Sequence, residues 1–321
     1  MNITVIGCGR WGSLITWYLD HIGHRVTLYG RSTSPKMQAF LATRQNDLLT
    51  LPESVALSTD LAAALDGAET VIISIGSQNL RSLLGQPELQ ALRERTVVLC
   101  MKGLEMGTGA RLSQIASECL HPSNAVAVWL GPGHVQEFYR GIPNCMVIDS
   151  ENDAIKRRLV QSFSSDLIRF YYGGDMIGNE IGAAAKNVVG IAAGFLDGVE
   201  MSSLKGALMS RGTREVARLI RAMGGNELSA YGLCHLGDYE ATVFSPYSHN
   251  RQFGESFIRH QDYHRLAEGY YTVEALMVLS ERYQVELPIC RAVHAILYEN
   301  ADPREQLTEL LRRGLRAEFD D

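Results

Sequence analysis

Two hydrophobic rhythms alternate along the first half of the chain. Residues 2–6 (NITVI) form a short apolar run that reads as a buried strand, GCGRWG at 7–12 reads as a glycine turn, and apolar spacing from Ser13 to Ile22 predicts a helix. The pattern repeats. Arg25–Tyr29 and Thr70–Ile75 read as strands, Leu80–Arg93 as a helix, Thr96–Met101 as a strand, Gly109–Leu120 as a helix and Ala125–Leu130 as a strand. Further strands at Asn144–Ile148 and Leu167–Tyr172 flank a helix at Asp153–Ser164. Strands alternating with helices predict a parallel, doubly wound sheet whose ligands sit beyond the carboxyl ends of the strands. Three turns fall at such ends: Gly76-Ser77-Gln78, Lys102-Gly103 and Gly131-Pro132-Gly133.

After Gly173 the strand signal stops and helical spacing takes over. In residues 177–198, only Lys186 and Asn187 are polar between Ile181 and Leu196. A helix apolar on every side belongs in the middle of a domain. Gly182, Gly190 and Gly194 each cost such a helix about 1 kcal/mol relative to alanine. They fall with Lys186 at steps of four, on one face, leaving a groove of missing side chains that holds a single ammonium. A backbone or a ligand can approach closely there. A lysine so placed is expensive unless it is paired, reaches the surface or is functional. Residues 203–222 and most of the chain from Glu227 onward also read as helix, and the charged tail Arg312–Asp321 is expected to fray. The expected fold class is therefore α/β. A dinucleotide-binding domain at 1–177 carries a doubly wound, Rossmann-type sheet, and an all-helical substrate and catalytic domain spans 178–321.

The glycines supply the first chemistry. Between a strand and a helix, Gly7 permits a tight turn, Gly9 lets the backbone approach a pyrophosphate and Gly12 lets the helix pack on the strand. The end of the second strand usually carries an acid when the coenzyme is NAD. Here it reads Gly30-Arg31-Ser32, with a guanidinium and a hydroxyl suited to a 2′-phosphate. The expected coenzyme is NADPH, with NADH as the alternative.

Composition excludes other classes. Hydrophobic residues make up 46% and charged residues 21% of 321 residues, with a net charge of −6, as in ordinary soluble enzymes. No basic stripe suggests nucleic acid. The longest wholly apolar run, Val188–Leu196, falls far short of the roughly 20 residues a membrane span needs. The N-terminus opens directly on a strand, so no leader is expected. Six cysteines without CxxC spacing read as reduced thiols and point to the cytoplasm. No metal site is expected: His260 and His264 have i, i+4 spacing but no third ligand, and read as an exposed helix face. Adjacent Cys234 and His235 do not read as a nucleophile pair.

Later motifs gather around the lysines. Lys102 follows a strand, Lys186 sits on the glycine face, Gly237-Asp238 follows a short apolar run, and Ser248, His249, Asn250 and Arg251 form a polar cluster. From residue 3 to about 298 the chain resembles the NAD(P)-dependent sn-glycerol-3-phosphate dehydrogenases. The resemblance is carried by VIGCGRWG at 5–12, MKGLE at 101–105, GP at 131–132 and EIGAAAKNVVGIAAGFLDG at 180–198. It continues with SRG at 210–212, HLGDY at 235–239, SHNRQFG at 248–254 and EGYYT at 268–272.

The resemblance implies hydride transfer between NAD(P)H and a small phosphorylated substrate, interconverting dihydroxyacetone phosphate and sn-glycerol 3-phosphate. It implies Lys186 as proton donor or acceptor, with Lys102 contacting substrate near the nicotinamide. Asp238, Ser248 and Asn250 would hold the substrate, with Gly131, His249 and Arg251 beside them. The cofactor would run along Gly7, Gly9, Arg10, Trp11 and Gly12, then Arg31, Ser32, Ser77 and Lys102, with Val135, Glu268 and the backbone of Leu266 closing on it. A homodimer is compatible with this reading.

The chemistry is coherent. Hydride reaching a ketone carbon leaves negative charge on oxygen, which one lysine can protonate and a second cation can stabilise. Two close ammonium groups lower each other's pKa, and Asp238 offsets part of that.

The chain departs from the family at several points. Leu130-Gly131-Pro132-Gly133 lacks a substrate-side hydroxyl, Ile75-Gly76-Ser77 stands for Val-Pro-Ser, and the loop near Asp47–Pro52 is short. His249 replaces an arginine that contacts the substrate phosphate. The sequence therefore predicts weak substrate binding, a KM rising from about pH 6 to 8 as the imidazole loses charge, and tighter binding in His249→Arg. Neighbouring Arg251 should point elsewhere, about 100° away on a helix. Two alternatives follow from these departures: another small hydroxy or keto substrate on the same fold, or a non-catalytic NADP-binding sensor.

Overall fold

β1 (Asn2–Ile6) is hydrogen-bonded on both sides, parallel to β2 (Arg25–Tyr29) and to β4 (Thr70–Ile73). A strand buried on both faces has no room for alternation, which is why it reads as a continuous apolar run. The structure, a computed structural model, describes residues 1–312; the expected fraying of the tail falls, from residue 313 on, outside the described residues. β3 (Ala56–Ser58), β5 (Thr96–Leu99), β6 (Ala125–Leu130), β7 (Asn144–Asp149) and β8 (Ile168–Tyr172) complete a sheet of order β3-β2-β1-β4-β5-β6-β7-β8.

The expectation of a wholly parallel sheet fails at one place. β7 runs antiparallel to β6. Their connection holds just one short helix, α7 (Val135–Tyr139), and begins with Gly131, whose carbonyl accepts from Lys102. Such a link does not carry the chain back to the starting edge, as a parallel crossover must.

Around the sheet lie α1 (Arg10–His21), α2 (Pro35–Thr43), α3 (Leu61–Leu65), α4 (Leu80–Leu84), α5 (Pro87–Gln90), α6 (Leu112–Cys119) and α8 (Asp153–Phe163). The single helix expected over Leu80–Arg93 is two, because Pro87 opens α5 and its ring forces Gln86 into extended backbone. α2, β3 and α3 lie in stretches where apolar spacing gives no clear period. α2 declares itself by other means: Ser34 caps it and Pro35 occupies its first position.

Beyond Tyr172 the described residues contain no strand. α9 (Met176–Gly198) is buried from Gly178 to Leu196. Its apolar surface meets α10 (Lys205–Ala222), α12 (Glu268–Tyr283) and α13 (Pro288–Tyr298), and α14 (Pro303–Arg312) packs on α13. The groove along its glycines is filled by protein. Gly182 lies against His235 and Gly190 against Thr242 and Asn250. A Cβ on Gly194 would overlap the Arg251 carbonyl of α11 (His249–Ile258), and one on Gly254 would overlap the Ile191 carbonyl. This mutual backbone approach compensates for the lost helix propensity, because close packing gains dispersion contacts along the helix. Among the described residues no helix is long and apolar enough to cross a membrane.

Candidate active site

Four elements converge where the sheet's carboxyl edge faces α9. Lys102 follows β5 and Lys186 lies mid-way along α9. Asp238 ends a 3₁₀ turn at Leu236–Asp238, and Thr242 sits in the single π-turn Glu240–Phe244 that follows. The two ammonium groups share one carboxylate oxygen: Asp238 Oδ2 is 2.6 Å from Lys102 Nζ and 2.9 Å from Lys186 Nζ. Lys102 also donates to the Gly131 carbonyl at 2.6 Å, and Lys186 to Thr242 Oγ1 at 2.7 Å. Lys186 and Asp238 are buried, while Lys102 is about one-fifth exposed. Two cations on one anion leave a net positive charge, which favours a ligand that carries or develops negative charge.

The Lys186 pKa is lowered to about 8. Burial is the main cause, Asp238 opposes it, and Lys102 lowers it further. The mutual repulsion of the lysines expected from sequence is the smaller effect; desolvation outweighs it, because the Lys186 side chain is almost wholly withdrawn from water.

A second polar chain fixes the frame. Asn187 donates to the Lys102 carbonyl at 3.0 Å, Asn250 donates to Asn187 at 3.0 Å, and Asn250 accepts from the Gly269 amide at 2.9 Å. Asn250 is thus held beside the lysines, with its amide shared among protein groups. Ser248 caps α11 by accepting from the Arg251 amide at 3.3 Å. Arg251 is not drawn to the lysines. Its guanidinium binds Asp197 at 2.6 Å, Glu255 at 3.2 Å and the Ser245 carbonyl at 3.2 Å. Those bonds hold its guanidinium on Asp197 and Glu255 rather than on the lysine pair.

The glycine turn provides a fit for a dinucleotide. A Cβ on Gly7 or Gly12 would overlap the protein backbone, while one on Gly9 would meet nothing. Gly9 caps α1 without a side-chain partner for the first-turn amides, so an open face and free donors coincide at a helix N-terminus. Trp11 packs near Phe138 of α7 at 6.1 Å between rings, and Val135 is buried in the same core. Arg31 and Ser32 are exposed beyond β2, and Arg31 has no ion-pair partner among the described residues. Glu268, at the start of α12, accepts from the Ser77 amide at 2.9 Å and from the Ser77 hydroxyl, joining the two halves of the chain. Leu266 is exposed nearby. These residues fit a nicotinamide dinucleotide lying across the strand ends.

His249 meets Arg10: Nη1 of Arg10 is 2.6 Å from Nε2 of His249. Its pKa is lowered, first by burial, then by Arg10, Arg265 and Lys36. The titration expected between pH 6 and 8 therefore moves to lower pH. His260 and His264 lie beyond the end of α11, so the helix face expected to carry them does not exist. His235 is buried between the Gly182 carbonyl and Tyr239, apart from any pairing with Cys234.

Sequence reasoning passed over Asn187 and Thr242. Asn187 had a signal, as the second polar residue of an apolar helix; Thr242 had none.

Known proteins resemble the chain over nearly its whole length. The family model described as NAD-dependent glycerol-3-phosphate dehydrogenase N-terminus matches residues 2–156, and the C-terminus model matches residues 175–308. A glycerol-3-phosphate dehydrogenase [NAD(P)+] of Rhodospirillum rubrum is 34% identical, over 99% of this chain and 94% of its own. One from Thermoanaerobacter sp. is 31% identical over 99% of each. The crystal structure of glycerol-3-phosphate dehydrogenase from Coxiella burnetii superposes with a TM-score of 0.90 at 27% identity, over 97% of this chain and 99% of that one.

Proposed function

The chain belongs to the NAD-dependent glycerol-3-phosphate dehydrogenase family, and on that premise we propose how its own residues carry the family's reaction. It is an NAD(P)-dependent oxidoreductase that interconverts dihydroxyacetone phosphate and sn-glycerol 3-phosphate. When bound, the nicotinamide coenzyme donates or accepts the hydride.

In reduction, Lys186 gives a proton from Nζ to the carbonyl oxygen as it gains charge. Lys102 stands beside it as a fixed cation that stabilises the same oxygen. Asp238 holds both ammonium groups in place and keeps them charged, while Thr242 sets the direction of the Lys186 Nζ. In oxidation, neutral Lys186 takes the hydroxyl proton. The observation that carries this reading is the pair of lysines on one buried carboxylate oxygen, at the strand ends where a dinucleotide fits. We assign the coenzyme site to Gly9, the backbone amide of Arg10, and Trp11, with Arg31, Ser32 and the Ser77–Glu268 pair; the Arg10 side chain is not part of it. The substrate and catalytic part spans 178–321, the nucleotide part spans 1–177, and six free cysteines suit a cytoplasmic setting.

Initial rates of NADPH oxidation with dihydroxyacetone phosphate, set against a panel of unphosphorylated ketones and keto acids, test the reading. Dihydroxyacetone phosphate should give the highest kcat/KM; preference for another carbonyl compound would replace the substrate, and coenzyme binding without any turnover would favour a sensor.

The coenzyme itself should be NADPH. Arg31 and Ser32 stand where an acid would bind a free ribose, and a charge-assisted hydrogen bond is worth about 1.5–3 kcal/mol. Arg31→Ala should weaken NADPH about tenfold or more in a fluorescence titration while NADH changes little. Equal losses would show that Arg31 does not meet the 2′-phosphate.

A further inference from the structure

Arg10 and His249 lie 239 residues apart, one opening α1 under the glycine turn and the other opening α11 in the helical part. Their 2.6 Å contact crosses the cleft between the two parts. A guanidinium has no acceptor, so Nε2 of His249 accepts and the imidazole is neutral. The surroundings agree: Arg10, Arg265 and Lys36 press on His249, and a hydrogen bond to the Leu266 backbone holds it. Among the described residues, no carboxylate pairs with Arg10, and its bond to His249 uses one of five guanidinium donors. The next residue, Asn250, is bonded to Asn187, which adjoins Lys186. The Arg10–His249 pair is thereby tied to the lysine cluster through a short polar chain. Positive charge from Arg10, Arg265 and Lys36 thus gathers around His249, with no carboxylate paired to it among the described residues.

We propose that Arg10 grips the phosphate of the three-carbon substrate and that His249 is the neutral rest that aims its guanidinium. This inference rests on the reading of the reaction given above. A phosphate there would take two parallel bonds from one guanidinium, a geometry that a single imidazole does not offer. The first-turn amides of α1 and the open face of Gly9 already suit a pyrophosphate, leaving the Arg10 side chain free to reach across to α11. An arginine at 249 would set two guanidinium groups against each other. The sequence expectation of tighter binding in His249→Arg therefore reverses: in an otherwise unchanged chain it should not lower KM.

The test compares the unchanged enzyme, Arg10→Ala, His249→Arg and the double variant. Arg10→Ala should raise KM for dihydroxyacetone phosphate about tenfold to hundredfold, the size of a charge-assisted contact, with a much smaller change in kcat. Its KM for unphosphorylated dihydroxyacetone and its Kd for NADPH should stay within about twofold. Adding His249→Arg to Arg10→Ala should recover most of the lost affinity, which a purely structural role for Arg10 would not permit. An unchanged KM in Arg10→Ala overturns the proposal. So does a loss confined to NADPH affinity, which would give Arg10 to the coenzyme's pyrophosphate instead. If the unchanged enzyme fails to turn over dihydroxyacetone phosphate, the reading of the reaction falls. The clamp is then decided by calorimetric titration with inorganic phosphate, whose binding should depend on Arg10.

Discussion

Replacing Lys186 with alanine should lower kcat for carbonyl reduction by at least about 100-fold, the scale of general acid catalysis, while NADPH still binds with nearly unchanged affinity. Lys186 Nζ lies on Asp238 and Thr242 inside a helix buried along almost its whole length. The Arg31–Ser32 turn and the Gly9 cradle, which the coenzyme should occupy, make no contact with it among the described hydrogen bonds. The same lysine sets the sign of the pH dependence. With its pKa lowered to about 8, it is mostly an ammonium at neutral pH. Reduction requires that proton, so its rate should fall as pH rises through about 8. Oxidation requires the neutral amine, so its rate should rise through the same range. Both limbs should vanish from the residual activity of Lys186→Ala. Stopped-flow single turnovers across pH 6–10, beside coenzyme fluorescence titrations, read all three outcomes. A variant with near-normal kcat would place the proton donor elsewhere.

Asp238→Asn should be nearly as damaging, and in two distinguishable ways. The substitution keeps the shape but removes the one anion that two ammonium groups share. Breaking a buried pair from one side costs about 3–5 kcal/mol because a charge is left unpaired. The low end applies here, since Lys102 retains some access to water. The denaturant midpoint should fall accordingly. Asp238 also opposes the burial that lowers the Lys186 pKa. Without it that pKa should drop further, and the reduction limb should move to lower pH. The loss of reductase activity should then be larger at pH 8 than at pH 6. A variant with unchanged stability and an unmoved limb would show that Asp238 is not the counter-ion of this site.

The helix at the centre of the molecule was legible because its message is local. Sixteen consecutive positions hold two polar residues, and glycines at steps of four mark a close approach whatever the partner. The central strands were legible for a similar reason, since burial on both faces of β4 and β5 leaves an apolar run. The glycine turn carried its own geometry. Lys186 stood out as a charge where the pattern allows none and Lys102 by its place just past a strand end, and the family resemblance supplied their roles.

What the sequence left open depends on direction. The reversal of β7 against β6 follows from where thirteen linking positions travel, which no spacing records. Arg251 and His249 are two residues apart, yet one turns to Asp197 and the other to Arg10, because a helix divides neighbours between its faces. The depth of the Lys186 pKa shift depends on how much water the packed helices exclude, and this set burial above the lysine–lysine repulsion that sequence could foresee. Residue types and periods fix what each segment needs; which distant group satisfies it is decided when α9, α11 and the strand ends close together and desolvate the space between them.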